Sequence, residues 1–531
     1  MSGRRVLALY SALLFGFAVV LCRLYLLAQN SAYAARADAQ STVKLSLPVR
    51  RGNFYDCSGN LLTGLEPGYL ALCFPGENSY ARLYGSTDSA GQALLYRNRN
   101  RAAPFLLEVS RDLSAQGVTC YPSARRYPET PLCQHLIGYL GSNGHGAAGL
   151  EKALDGFLAG TGAHDTVACS VTAQGRLRTG TAAELTLQDS GAAGVRLTIS
   201  RPVQRAGEAA AAEMMTSGCI LVLDTATAAV RACVSVPGYD PQNIAASLNA
   251  ADSPFLNRAL ESYAVGSAFK PVLAAAALEE NVLPEYECTG AVVVDGQIFR
   301  CAGGAAHGTV DLAGALEKSC NGYFIRLGQK LGAEKLLQTA EQFGFGQAVP
   351  VAGSLYADAG NLPAPGELAQ SGQLANFSFG QGKLLAAPVQ VAAMMNTVAS
   401  GGIYRTPFFA ECTLNEADGT PLDVLSHPQR RRVMTEETAE SLRKMLEQVV
   451  ETGTGHDAAG LSGGAGGKTG TAQTGQFTQE GTERMNLWFA GFYPAEKPRF
   501  TIVVLQDGQT RPAYSSAEIF ARLCTALQFL E

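Results

Sequence analysis

One apolar run, Val6 to Cys22, does most to limit how this chain can be arranged. Its 17 residues reach about 25 Å as a helix, the short end of what crosses a bilayer. Arg23 interrupts the run and Leu24 to Ala28 resume it, so a snorkelling guanidinium can lengthen the usable span. Arg4 and Arg5 stand ahead of it, which favours a cytoplasmic N-terminus and an exported remainder. A cleaved signal peptide is the competing reading, since Ala32-Tyr33-Ala34 and Ala37-Asp38-Ala39 offer small-residue cleavage patterns. The run exceeds the ~7–15 residues of a signal-peptide core, which favours an uncleaved anchor. No other stretch reaches spanning length without charges or glycines. The rest is therefore expected to form one extracytoplasmic body on a single membrane stalk.

That body is globular by composition, because 47% of the 531 residues are hydrophobic and 16% charged. A formal net charge of −5 with no long basic run argues against nucleic acid as a partner. The 13 cysteines are an odd number, so at least one cannot pair within a monomer, and they lack the dense spacing of a disulfide scaffold.

Residues 1–30 are read as a cytoplasmic tip and membrane anchor. Residues 31–195 mix short strand-like runs with glycine-rich loops, one turn at Asp56–Asn60 and one helix near Leu150–Leu158. No acids, bases and nucleophiles group there, so this part is read as a mainly β, non-catalytic pedestal. From 196 the texture changes. A strand and an alanine-rich helix (194–215) precede a hairpin (218–236). Helices are expected over 267–280, 312–332 and 387–400, strands over 486–494 and 499–507, and a helix over 516–530. The fold class is α+β, an antiparallel sheet with helices on both faces.

Lys468 sits in LSGGAGGKTGTAQTG, which nearly spells a phosphate-binding loop. The pattern needs glycine where Ser462 stands, and the residues after Thr469 make a poor helix, so nucleotide binding is excluded. The alternative is a sheet edge bordering a cleft. There Gly470 admits a substrate backbone, Lys468 faces a carboxylate and Thr469 supplies a hydroxyl.

Such a wall needs a nucleophile opposite. Ser267 and Lys270 are three apart, so on a helix they share a face. The following VLAAAAL is apolar enough to be buried, and a lysine held there loses hydration, lowering its pKa toward a neutral amine that can deprotonate serine. In KSCNGYF, Ser319 can relay a proton, while Asn321 can hold the lysine and a substrate amide. Each motif is weak alone; the ordered set S-x-x-K, S-x-N, K-T-G carries the signal.

On these motifs the chain resembles the class B penicillin-binding proteins, membrane-anchored peptidoglycan D,D-transpeptidases. RRGNFYDCSGNLL, HLIGYLG, GAAGLEKALDGFLAGTGA, NRALESYAVGSAFKP, SFGQG, GGKTGTAQT and WFAGFYP resemble family segments along most of the chain after the anchor. Val265 stands where proline is common and Cys57 where arginine is common. The resemblance implies a penicillin-binding, serine β-lactamase-like transpeptidase domain over 196–531. In it Ser267 would attack the carbonyl between the last two D-alanines of a stem peptide, with Lys270 as base and Ser319 and Asn321 completing the proton network. Lys468, Thr469 and Gly470 would bind the donor, and the N–H groups of Ser267 and Thr471 would form the oxyanion hole. β-Lactams would acylate the same serine. A membrane glycan polymerase within a cell-wall synthesis complex, serving cell shape or division, is the implied partner. Two other readings remain: a D,D-carboxypeptidase or β-lactamase, and a non-catalytic penicillin-binding sensor or scaffold.

No cofactor is required for this chemistry. Cys288, Cys301, His307 and Cys320, spaced C-x12-C-x5-H-x12-C, nevertheless suit a tetrahedral structural zinc. They resemble a zinc site of some elongation-type members. A Cys288–Cys301 disulfide, or no linkage, stays open beside it.

Overall fold

The computed structural model describes residues 3–48, 50–74, 80–101, 103–172 and 174–530. Met1, Ser2 and Glu531, at the ends of the expected domains, lie outside the described residues, as do Val49, residues 75–79, Ala102 and Ala173 inside the expected pedestal. Helix Gly3–Ala28 carries the apolar run through Arg23 and is long and apolar enough to cross a membrane.

The chain divides into two compact units. The first holds the chain up to Arg50, Gly64–Arg126 and Thr161–Gly191. It contains two three-stranded antiparallel sheets: Thr42–Ser46, Thr166–Ser170 and Glu184–Thr186 in one, Phe105–Val109, Glu66–Cys73 and Cys120–Arg125 in the other.

The second unit holds Arg51–Thr63, Tyr127–Gly160 and Ala192–Glu531. Arg51–Thr63 and Tyr127–Gly160, expected in the 31–195 pedestal, therefore fall in the second unit, and the reason is pairing. Phe54–Tyr55 lies parallel to Gly194–Leu197, which pairs in turn with Ala410–Leu414. The Arg51 guanidinium bonds Glu151 at 3.0 Å and Asp155 at 2.7 Å, with Glu151 fully buried. The single helix expected over Leu150–Leu158 is two, Gly149–Ala153 and Asp155–Ala159, parted at non-helical Leu154.

The core of this unit is an antiparallel sheet of β1 (Gly218–Asp224), β2 (Val230–Val236), β3 (Gly466–Phe477), β4 (Glu483–Tyr493) and β5 (Phe500–Gln509), in the order β2-β1-β5-β4-β3. Alternation divides its side chains. Ile220, Val222, Ile502, Val504 and Phe489 pack with helices α1 (Arg201–Met214) and α7 (Ser516–Leu527). Cys219, Leu221, Leu223, Val503, Leu505 and Trp488 join the larger core of α2 (Lys270–Glu279), α3 (Leu312–Glu317), α4 (Asn321–Leu331), α5 (Pro388–Ala399) and α6 (Glu436–Glu451). Both faces are covered, as the α+β reading expects. Strand β3, carrying Lys468, is the edge, so one side of its backbone stays open for the site.

The expected 312–332 helix is broken between α3 and α4. Ser319 adopts φ 53°, a left-handed cap normally given to glycine, while Cys320 N–H bonds back to Ala315 O at 2.9 Å.

Phe489 fills the space that Gly467 and Gly491 leave beneath β3 and meets Phe520 at 4.7 Å between ring centroids. Phe489→Ala should destabilise the protein by about 3–5 kcal/mol, read as a lowered melting temperature of the detergent-solubilised chain.

Candidate active site

The turn Gly266–Phe269 presents Ser267 one 3₁₀ turn ahead of Lys270 at the start of α2. Bare backbone brings this turn against β3. Gly266 has φ 61°, and a Cβ there would lie 2.5 Å from Thr471 O; one on Gly470 would lie 2.9 Å from Val265 O. On the other side Gly380 O accepts the Gly266 N–H at 2.8 Å, and Gln381 Nε2 donates to Thr471 O at 3.3 Å. Trp488 Nε1 donates to Ala264 O at 2.9 Å, tying the approach to the turn onto β4. Ser267 itself is half-buried, beside buried Ala268 and Phe269.

Lys270 is fully buried, and its Nζ donates to Ser319 O (2.8 Å), Ser319 Oγ (3.1 Å) and Asn321 Oδ1 (2.8 Å). Phe324 lies 5.3 Å from the same nitrogen. Burial strips the ammonium of water and lowers its pKa to about 7, the direction the apolar helix implies. Lys468, also fully buried, donates to Ser319 Oγ (3.1 Å), Thr469 O (3.1 Å) and Thr469 Oγ1 (3.2 Å). Burial first, and the nearby Lys270 second, hold its pKa well below the usual lysine range. The Ser319 hydroxyl thus accepts from both lysines, leaving its own proton for a third atom. Asn321 Nδ2 donates to Arg300 O at 2.9 Å with one of its two hydrogens, so the second remains for a ligand.

Five expected residues, Lys270, Ser319, Asn321, Lys468 and Thr469, therefore form one hydrogen-bonded network. Gly470 and Thr471 border the serine turn through backbone contacts. Among the described residues Ser267 Oγ makes no hydrogen bond, and the lysines donate instead to Ser319, Asn321 and Thr469. Sequence reasoning missed Thr454, whose hydroxyl meets that of Thr469 at 2.8 Å. Its segment is tied to α3, with Thr452 Oγ1 donating to Glu317 Oε1 at 2.9 Å and Thr454 N to Glu317 O at 3.1 Å. The signal available was Thr454 between two glycines at 453–455. Gln381 was missed too, although its glycine turn stood out.

Beside Ser319, the donor atoms of Cys288, Cys301, His307 and Cys320 all lie within 4.8 Å of one another. Cys288 Sγ is 3.7 Å from Cys301 Sγ and 3.4 Å from His307 Nδ1, and Cys301 Sγ is 3.9 Å from Cys320 Sγ. A disulfide needs sulfurs about 2.05 Å apart, so these thiols are unlinked. A tetrahedron with zinc–sulfur bonds of about 2.3 Å has sulfur–sulfur edges near 3.8 Å, and the cluster fits that figure.

The profile of the penicillin binding protein transpeptidase domain matches residues 218–525. Stage V sporulation protein D of Bacillus subtilis is 30% identical over 400 residues, covering 72% of this chain and 60% of that protein. Penicillin-binding protein PbpB of Mycolicibacterium smegmatis is 30% identical, and the match takes in 64% of its length. The chain thus spans less than two thirds of these two relatives. Peptidoglycan D,D-transpeptidase PbpA of M. smegmatis is 29% identical over 82% of this chain and 86% of its own. Among solved structures, penicillin binding protein 3 from Mycobacterium tuberculosis complexed with aztreonam matches with TM-score 0.66 at 24% identity, over 91% of this chain and 96% of its own. A chain from a peptidoglycan synthase complex that coordinates polymerization and crosslinking matches with TM-score 0.72 at 23% identity, over 100% and 99%. At such identity the likeness speaks for the fold. The domain match spans more than half of the chain, and the protein belongs to the penicillin-binding protein transpeptidase family, with class B members as its relatives.

Proposed function

We propose that this protein is a serine-type D,D-transpeptidase that cross-links peptidoglycan stem peptides. The observation that carries the reading is Ser319 Oγ accepting from Lys270 and Lys468, each at 3.1 Å, across from a serine turn pressed onto β3. An ammonium at Lys270 saturates its three acceptors. A neutral amine instead has a lone pair, which takes the Ser267 proton. Ser267 Oγ then bonds to the carbonyl carbon between the last two D-alanines, while Lys468 and Thr469 hold the terminal carboxylate. The N–H groups of Ser267 and Thr471 receive the negative oxygen, each worth roughly 3–4 kcal/mol in enzymes generally. The carbon–nitrogen bond breaks as the Ser319 hydroxyl protonates the departing D-alanine amine, and Ser319 is reprotonated from Lys270. An acceptor amine attacks the acyl-serine, loses its proton to the same base and releases Ser267 with a new amide.

β-Lactams mimic the donor and acylate Ser267, as the aztreonam complex of the structural neighbour suggests by analogy. Helix Gly3–Ala28 acts as an uncleaved anchor with its N-terminus cytoplasmic and the catalytic body outside. The synthase-complex neighbour supports a membrane glycan polymerase as partner. Cys288, Cys301, His307 and Cys320 would hold a structural zinc. The ion would supply cross-linking of the Ser319–Asn321 loop to the hairpin that ends at Cys301, with no part in the acyl chemistry.

Four outcomes test this. Fluorescent penicillin should label the wild type stably and Ser267→Ala not at all, while Ser319→Ala should slow release of D-alanine from a lipid-linked donor by ~10²–10⁴-fold. Because the base is the deprotonated Lys270, whose pKa burial lowers to about 7, the acylation rate should climb as pH passes 7 and level off above it; a flat profile from pH 5 to 9 would count against the assignment. Metal analysis should find one zinc per chain, and its removal by a chelator should lower the melting temperature; metal-free protein of equal stability would exclude the site.

A further inference from the structure

The hairpin Ala291–Val294 and Gln297–Arg300 has an outward face that the acyl-transfer reading leaves unused. Its inward residues Val292, Val294 and Phe299 are buried with Ile325 and Ala375. Alternation then turns Val293 and Ile298 outward, directly opposite one another and 54% and 51% exposed. Arg300 lies on that same face, two residues beyond Ile298, and is exposed. Among the described residues its guanidinium has no ion-pair partner. Its carbonyl, however, accepts from Asn321 Nδ2 at 2.9 Å, and Asn321 Oδ1 accepts from Lys270 Nζ at 2.8 Å. The strand that carries this face is therefore bonded to the active-site network at its Arg300 end.

We infer that this face is a subsite for the donor peptide upstream of its scissile bond, and that Arg300 recognises a free carboxylate on that peptide. The inference rests on the acyl-transfer reading and names a substrate feature for it. Asn321 has one amide hydrogen left for the donor backbone, and a donor held there lies beside the strand end that carries Arg300. Arg300 and Ile298 are separated by about 6.8 Å along the strand, two residues of an extended peptide. A donor with its carboxylate on the guanidinium thus lays a further aliphatic side chain over Val293 and Ile298. The guanidinium fork matches a carboxylate in shape and charge, and an amide at that place loses the ionic component. Because Arg300 is exposed, the preference is modest.

The test compares two lipid-linked donors, identical except that the upstream carboxylate is free in one and amidated in the other. D-Alanine release by the full-length protein in detergent gives kcat/KM for each. The wild type should favour the free acid by roughly fivefold, mainly through KM. Arg300→Lys should keep part of the preference, Arg300→Gln should abolish it, and Arg300→Glu should reverse it. An unaltered ratio in Arg300→Gln and Arg300→Glu overturns the inference, as does an equal loss on both donors, which would mean that Arg300 only braces Asn321. A wild type that neither forms a penicilloyl adduct nor releases D-alanine from either donor overturns the acyl-transfer reading, and the subsite with it.

Discussion

Two buried lysines converging on one serine hydroxyl is the arrangement on which the rest of this site depends. Each ammonium stripped of water is costly, and two of them close together repel. They persist because acceptors from three separate elements meet them: the α3–α4 break, the head of α4 and the edge strand β3. The same crowding makes proton loss easy. An interior that tolerates these charges only in this geometry keeps one amine near neutrality, which is the chemical requirement for activating a hydroxyl.

Bringing the serine to this pair is a matter of backbone clearance. Gly266, Gly380 and Gly470 stand where a methyl group would collide with main-chain atoms of the facing segment. The turn is wedged between β3 and the Gly380 loop. The sheet beneath is rigid because both faces are packed, and Phe489 supports the strand from the α7 side. Stability in the core and placement at the site are linked through the same residues.

Much of this was legible in the sequence. The hairpin at 218–236, the late strands and the final helix follow alternation and periodicity closely, and the three motifs name most of the hydrogen-bonded network. What was hidden is informative. The break at Ser319 could not be read because its left-handed backbone is imposed on a serine, where sequence rules look for glycine. The allocation of residues 51–63 and 127–160 escaped because it rests on long-range pairing, Phe54 with Val195 and Arg51 with Glu151, which leaves no local pattern. Thr454 and Gln381 were missed because a lone hydroxyl or amide in a glycine turn announces nothing until its neighbour in space is known. The cysteine cluster was legible as spacing, but that its sulfurs stand 3.7 and 3.9 Å apart, unlinked, shows only in three dimensions.

The strap from Thr452 to Thr454 has a mechanical meaning. It hangs from Glu317 at the end of α3 and touches Thr469 on β3, so it bridges the floor that carries Ser319 and the rim that carries Lys468. Any widening of the gap between those two must stretch this bridge or drag the C-terminal end of α6 along with it. The aperture of the cleft is therefore geared to the placement of α6, which packs directly against β3, α2 and α3.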